Sequence, residues 1–381
     1  MIPLSIPNIS GNELKYVKDC LDTGWISSAG EYVNKFEKAI QSYTGAKYAI
    51  ACMNGTAGLQ VSLILAGVTK NDIVIAPNLT FVATLNAISY VSAQTILIDN
   101  CEDSWQIDVD LLEKWLIENT TTIIGDKPIT IEKLSGKKIG AIMPVYVLGG
   151  FVNTDKLLKI STKYGIPIIE DSTEALGSFK KGKHAGTFGL TGVLSFNGNK
   201  IISTGGGGMI LTDNEDLAIR ARHITTTAKS DSLEYFHDEV GYNYRLVNVL
   251  AAIGVAQMEN FEQILKRKKE IDAIYKKELE GVGDIKFQIN DSNSNPNCWL
   301  FTFRTKKMRE LLNYLNSKQI QSRPFWTPMN KLPMYKDLMY INEYDISNKI
   351  FKECISIPSS SNLTISDQKK VIAEIKKFYK S

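Results

Sequence analysis

The sequence predicts an α/β protein, with a mostly parallel sheet covered by helices and a smaller α+β unit at the C-terminal end. Three observations carry this. Short continuous apolar runs alternate with stretches of helical period through the first two thirds of the chain, as strands buried on both faces do. Turn-forming residues separate the runs, as at Asn54-Gly55 and Pro77-Asn78. Near residue 260 the pattern changes to a long charged helix, a turn-rich loop and a few further elements. The expected division is a large domain over 1–255, with its N-terminal segment, and a small domain over 256–381.

In order, the spacing predicts a helix over 13–23, with Ser10 as N-cap and Glu13 completing a capping box. A loop over 24–30 carries Trp25. A second helix over 31–44 places Val33, Phe36, Ile40 and Tyr43 on one face. Strand 48–53 turns through 54–58 into helix 59–66. Strand 72–76, helix 81–90, strand 95–98 and helix 110–118 follow. Strand 139–147, helix 154–163 and strand 166–170 come next, then a strand pair at 192–197 and 208–211. The C-terminal unit is expected to hold the helix near 260–280, a loop over 290–297, strand 300–304, helix 308–319 and helix 366–379.

The chain has 381 residues, enough for two cores. Its formal net charge of +3 points to neither a nucleic-acid nor a membrane-surface partner. The basic run Lys266-Arg267-Lys268-Lys269 reads as a solvated helix face. Five cysteines form no CxxC pair and no cluster with histidine, so no metal site is expected. They read as small buried hydrophobes in a reducing cytoplasm. No signal peptide is read at the start, and no apolar run reaches the ~20 residues that span a bilayer.

Chemistry concentrates at four places. Asp171 ends the apolar strand at the carboxyl edge of the sheet, where ligands bind in such folds. The same carboxylate can instead cap the turn that follows. Lys200 stands between a strand end at Ser195 and the glycines 205–208, which permit tight backbone approach. It can form an imine with a cofactor aldehyde and then shuttle a proton, although most loop lysines are merely solvated. The turn at Asn54–Ala57 opens a helix whose N-terminus suits a phosphate, with the Thr56 hydroxyl as an added donor, or is a plain cap. Phe81 either stacks on a ring or packs in the core. There is no GxxxxGK[ST] loop and no GxGxxG after the first strand, which disfavours nucleotide P-loop and Rossmann dehydrogenase readings.

With these motifs in order, NGTAGL (54–59), PNLTFVATLNAI (77–88), IIEDSTEALGS (168–178), GLTGVLSFNGNK (189–200), GGGGMILT (205–212), GYNYRLVNVLAAIGVAQM (241–258) and RPFWTPMNKLPMY (323–335), the chain resembles the DegT/StrS-type sugar-nucleotide aminotransferases. These are pyridoxal 5'-phosphate enzymes of fold type I. The resemblance implies that Lys200 is the Schiff-base lysine and that Asp171 pairs with the pyridinium nitrogen. It assigns Thr56, Ala57 and Ser195 to the phosphate cup and Phe81 to ring stacking. Asn243 matches an asparagine that reaches the phosphate from the neighbouring subunit, implying a homodimer with shared sites. Trp25, Ser27 and Tyr146 match segments lining the sugar pocket.

Two departures stand out. Glu174 occupies the usual histidine position near the cofactor, and Gly206 replaces a frequent glutamate. Both resemble the branch that makes 4-amino sugars on the bacillosamine and legionaminic-acid routes. The expected reaction moves an amino group from glutamate to UDP-2-acetamido-2,6-dideoxy-4-ketohexose for surface-glycan synthesis. Alternatives are a 3-aminotransferase acting on a dTDP-keto sugar, a sugar dehydratase of the same scaffold (such enzymes carry His at the Lys200 position), and a non-catalytic regulator.

Overall fold

Gly208, the last residue of the glycine run, begins the strand that ties the central sheet together. In the computed structural model, which describes residues 1–381 apart from Lys127, Ser232 and Ser381, strand Gly208–Thr212 pairs antiparallel with both Tyr48–Cys52 and Thr191–Ser195. Thr191–Ser195 in turn runs parallel to Ile169–Asp171. A second sheet has the order Met339–Ile341, Gln94–Ile98, Asp72–Pro77, Lys138–Ile142, Ile129–Glu132 and Thr120–Ile123. Its first four strands are parallel, and the last two form an antiparallel hairpin edge. Parallel bridges Ile142–Ile168 and Val145–Asp171 join the two sheets at their centre. Every residue of Asp72–Pro77 is buried, as a strand covered on both faces requires.

Most predicted elements are present within a few residues. The helix after the first strand starts earlier, at Gly55, because the Asn54 side chain accepts the Ala57 N–H at 2.8 Å and caps it. Ser10 does not cap the first helix. Helix Glu13–Thr23 begins after Asn12, and the Glu13 carboxylate accepts the Gly11 N–H at 2.8 Å instead. The strand expected over 139–147 stops at Ile142, and the chain turns through Val147–Gly149, where Leu148 has φ 58°.

Several elements carry weak sequence signals. The hairpin Thr120–Ile123/Ile129–Glu132 is polar on one side and lacks an apolar run. Helix Glu215–Thr225 is short, though Asn214 caps it at Leu217 N–H and acidic and basic residues sit at its proper ends. Helix Asn248–Glu259 is apolar around its circumference, so no amphipathic period marks it.

The C-terminal sheet, Lys286–Phe287, Phe301–Arg304, Cys354–Ile357 and Arg323–Pro324, is antiparallel. Helices Met308–Ser317 and Ile365–Lys380 cover it. The expected division at 255/256 falls just before helix Phe261–Leu279, which serves both cores. Phe261, Ile264 and Leu265 pack with the large sheet, while Ile271, Tyr275 and Leu279 pack with the small one. Ile2 also belongs to the small core.

The basic run on this helix is not uniformly solvated. Lys268 is buried, and its ammonium donates to the carbonyls of Trp299 and Ser359. Cys20, Cys52 and Cys354 are buried, while Cys101 and Cys298 are half-buried. Among the described residues no helix is long and apolar enough to cross a membrane.

Candidate active site

A cavity of about 290 Å³ opens where the two sheets meet, at the carboxyl ends of strands Ile169–Asp171 and Thr191–Ser195. Thr56, Phe81, Asp171, Glu174, Ser195 and Lys200 all line it. Residues that lie far apart in the chain thus meet at the sheet edge where the sequence places its chemistry.

Asp171 illustrates how the strand sorts its side chains. Successive strand residues face opposite sides. Asp171 faces the cavity, and its Oδ2 accepts the Thr84 hydroxyl at 2.7 Å. Its Oδ1 accepts the Thr173 N–H at 3.3 Å, so one oxygen also performs the turn-capping role. Glu170, one residue earlier, faces away and accepts three backbone N–H groups, from Gly186, Phe188 and Gly189. It also accepts the Tyr146 hydroxyl. That bond corrects the expectation for Tyr146: its ring is buried against Phe151, with centroids 5.1 Å apart, and does not line the cavity.

Lys200 follows the turn at Asn197, whose carbonyl accepts the Lys200 N–H at 2.9 Å. Its side chain is only 12% exposed. The ammonium nitrogen lies 3.8 Å from Glu174 Oε1 and 4.2 Å from the ring centroid of Trp299. Burial lowers the affinity of Lys200 for its proton, while Glu174 and Asp171 work in the opposite sense. Burial also pushes the Glu174 carboxyl up to about 7, with Lys200 pulling it back. Glu174 is not loose in the cavity, because its Oε2 accepts the Leu148 N–H at 2.8 Å. The left-handed backbone at Leu148 aims that donor.

The turn expected to suit a phosphate and the strand end at Ser195 bring two hydroxyl side chains to the cavity. Thr56 and Ser195 face the cavity. Ala57 does not, and its N–H is already taken by Asn54. The glycine run does two things. A Cβ at Gly208 would lie 2.6 Å from the Asn54 carbonyl carbon, so only glycine lets this strand back the turn. Gly206 lines the cavity with nothing closer than 3.9 Å to a Cβ, so a side chain there would project into free space.

Phe81 lies just before helix Ala83–Tyr90 and is 53% exposed on the cavity rim. It is therefore no core aromatic. Asn243 is exposed and bridges to Thr226, outside the cavity. Trp25 and Ser27 are exposed and also lie outside it, and their carbonyls accept from Asn248.

Two wall residues carried no role in the sequence reading. Trp299 and Trp326 form an aromatic side of the cavity, stacked with centroids 6.4 Å apart, and Trp326 meets Phe81 edge-on at 6.3 Å. Both come from the C-terminal third, and only their aromatic character within loops hinted at them.

The model of the DegT/DnrJ/EryC1/StrS aminotransferase family matches residues 7–376. A Bacillus subtilis protein named as a pyridoxal phosphate-dependent aminotransferase, EpsN, is 34% identical over 377 residues, 97% of this chain and 94% of its own. The GDP-perosamine synthase of Escherichia coli O157:H7 is 33% identical over 381 residues, 99% of this chain and 98% of its own. A crystal structure of a DegT DnrJ EryC1 StrS aminotransferase from Brucella abortus superposes with a TM-score of 0.88 at 23% identity, covering 97% of this chain and 96% of that one. The architecture is thus the expected fold type I of the aminotransferases.

Proposed function

Because the chain belongs to the DegT/DnrJ/EryC1/StrS aminotransferase family, and is a pyridoxal-phosphate-dependent sugar-nucleotide aminotransferase of glycan biosynthesis, we propose that it transfers an amino group from glutamate to UDP-2-acetamido-2,6-dideoxy-4-ketohexose. The product is the UDP-linked 4-amino sugar. The observation that carries this reading is a buried amine, Lys200, sharing one cavity with a strand-end carboxylate and a hydroxyl-bearing turn.

The donor set fits the cofactor. Asp171 would pair with the ring nitrogen, held in place by Thr84. Thr56, Ser195 and the N–H groups of Gly55 and Thr56 at the start of helix Gly55–Leu65 would hold the phosphate. Phe81 would face the ring. When bound, pyridoxal phosphate supplies a reactive aldehyde and a ring that takes up the electron pair left by a departing proton.

Lys200 would hold the cofactor at rest, and its free amine would take the proton from the glutamate Cα. It later returns a proton to the sugar carbon. General acid–base action of this kind contributes about 10²–10⁴ in rate. Burial favours the neutral, basic amine that this step needs. Glu174 lies close enough to bias its charge.

The N-acetylated UDP sugar is favoured by the two departures together, a carboxylate at Glu174 and open space at Gly206. A second reading, a GDP-linked keto sugar, is favoured by the likeness to the GDP-perosamine synthase. Asn243, Trp25 and Ser27 would complete the site from a partner copy in a homodimer. The exposed apolar side chains Ile26, Leu233, Tyr235, Phe236 and Val240 on the same stretches support such a contact. A cytoplasmic reaction is part of this reading, and the five free cysteines, suited to a reducing compartment, support it.

The test is glutamate-dependent amination of a panel of UDP-, dTDP- and GDP-linked 4-keto and 3-keto sugars, with NMR of the product. Turnover of the UDP-N-acetyl 4-ketone above all others supports the reading; preference for a GDP or 3-keto substrate overturns it.

A further inference from the structure

Trp299 is 2% exposed and tied down on every polar atom it has. Its indole N–H donates to the carbonyl of Asn199, the residue before Lys200, at 2.6 Å. Its backbone N–H donates to Asn297 Oδ1 at 3.0 Å. The Asn297 amide in turn donates to the Glu174 carbonyl at 2.7 Å and to the Leu176 carbonyl at 2.9 Å. The Trp299 carbonyl accepts from Lys268. One short segment, entering from the C-terminal third, therefore touches the chain beside Lys200 and beside Glu174.

Lys268 is the unexpected member. It is a buried lysine with no carboxylate within ion-pair distance among the described residues, and its Nζ spans two carbonyls from separate segments, Trp299 and Ser359. A buried charge so placed is weak evidence for stability, because desolvation offsets its attraction. Its geometric effect is clear: it fixes the backbone of Trp299 against the segment at Ser359.

The face of the indole then meets the Lys200 amine at 4.2 Å from the ring centroid. A lysine that must leave and rejoin a cofactor has a flexible four-carbon stem. A hydrogen bond would trap its amine. An aromatic face attracts the ammonium over its breadth without the single fixed acceptor of a hydrogen bond, and lets it depart.

We infer that Trp299 is the positioning residue for the free amine of Lys200, and that Lys268 holds Trp299 in that place. The inference rests on the reading of Lys200 as the proton-moving amine.

The test compares Trp299→Ala and Trp299→Phe. In cofactor-free full-length protein, the rate at which trinitrobenzenesulfonate labels Lys200 is followed by peptide mass mapping. Trp299→Ala should label about tenfold faster, the scale of one such contact, and Trp299→Phe within about threefold of the parent. In the loaded enzyme, the deuterium effect on the half-reaction with 2-deuterated glutamate should rise in Trp299→Ala. Equal labelling rates and equal isotope effects in Trp299→Ala and the parent overturn the inference. Should Trp299→Ala fail to fold, Trp299→Leu, which fills the space without a π face, takes its place. Failure of the underlying reading would look different: Lys200→Ala would transaminate normally.

Discussion

Lys200 and Lys268 are both largely withdrawn from solvent, yet the structure uses them in opposite ways. Lys200 stands in a cavity, with a carboxylate at 3.8 Å and an aromatic face at 4.2 Å, and among the described residues its amine donates no short hydrogen bond that would pin it. Lys268 lies in the solid part of a helix that serves two cores, and two carbonyls pin it. Burial weakens proton binding at both. The difference teaches that burial alone does not mark a reactive amine: freedom of the nitrogen to move does.

The strongest way to break the comparison is Lys200→Ala. Turnover should fall by at least the ~10²–10⁴ of general acid–base catalysis, and further because the cofactor anchor is lost. Thermal melting should change little, since a desolvated amine is being removed. Retained transamination would remove Lys200 from the mechanism.

Glu174→Gln is expected to have a smaller effect, about tenfold on kcat, because it acts through the lysine and not on the substrate. Its signature is the pH profile. Glu174 favours the charged amine, so without it Lys200 gives up its proton at lower pH. The acid limb of kcat should therefore move to lower pH. A shift in the opposite direction would show that the carboxylate does not bias the lysine.

Lys268→Met sharpens the other side. Two buried carbonyls lose their donor, which costs about 1–3 kcal/mol, partly offset by removal of a buried charge. Urea denaturation measures this. The pH dependence gives the sign. Burial pushes Lys268 down to about 8 from 10.5. Between those values the unfolded chain binds the extra proton, so the parent should gain stability as pH rises from about 8 to 10.5. The variant lacks this rise. Identical slopes in parent and variant would mean that Lys268 is not desolvated in solution.

Both lysines also show where sequence reading ends. Lys200 was legible because its neighbours in the chain are unusual: a strand end at Ser195 before it and four glycines after it. Lys268 lies in a run of basic residues on a helix, and such runs are usually solvated. Its burial follows from the angle at which that helix packs between two cores, a quantity no local pattern encodes. Glu170 and Asp171 make the same point on a smaller scale. The alternation of a strand forces them to opposite sides, but which side is the cavity depends on the sheet it joins.

By itself the sequence determined the alternation of strands and helices and the place of Asp171 at a strand end. It also determined the turn at Asn54–Thr56. Each follows from local backbone geometry or from the period of buried side chains. Only the tertiary structure decided that Tyr146 turns to Glu170 and that Trp299 and Trp326 wall the cavity. Those contacts join residues up to a hundred or more positions apart, as Trp299 and Asn199 are. The tryptophan wall is fixed by how the C-terminal unit packs on the sheet, through shape and burial that accumulate over the whole chain.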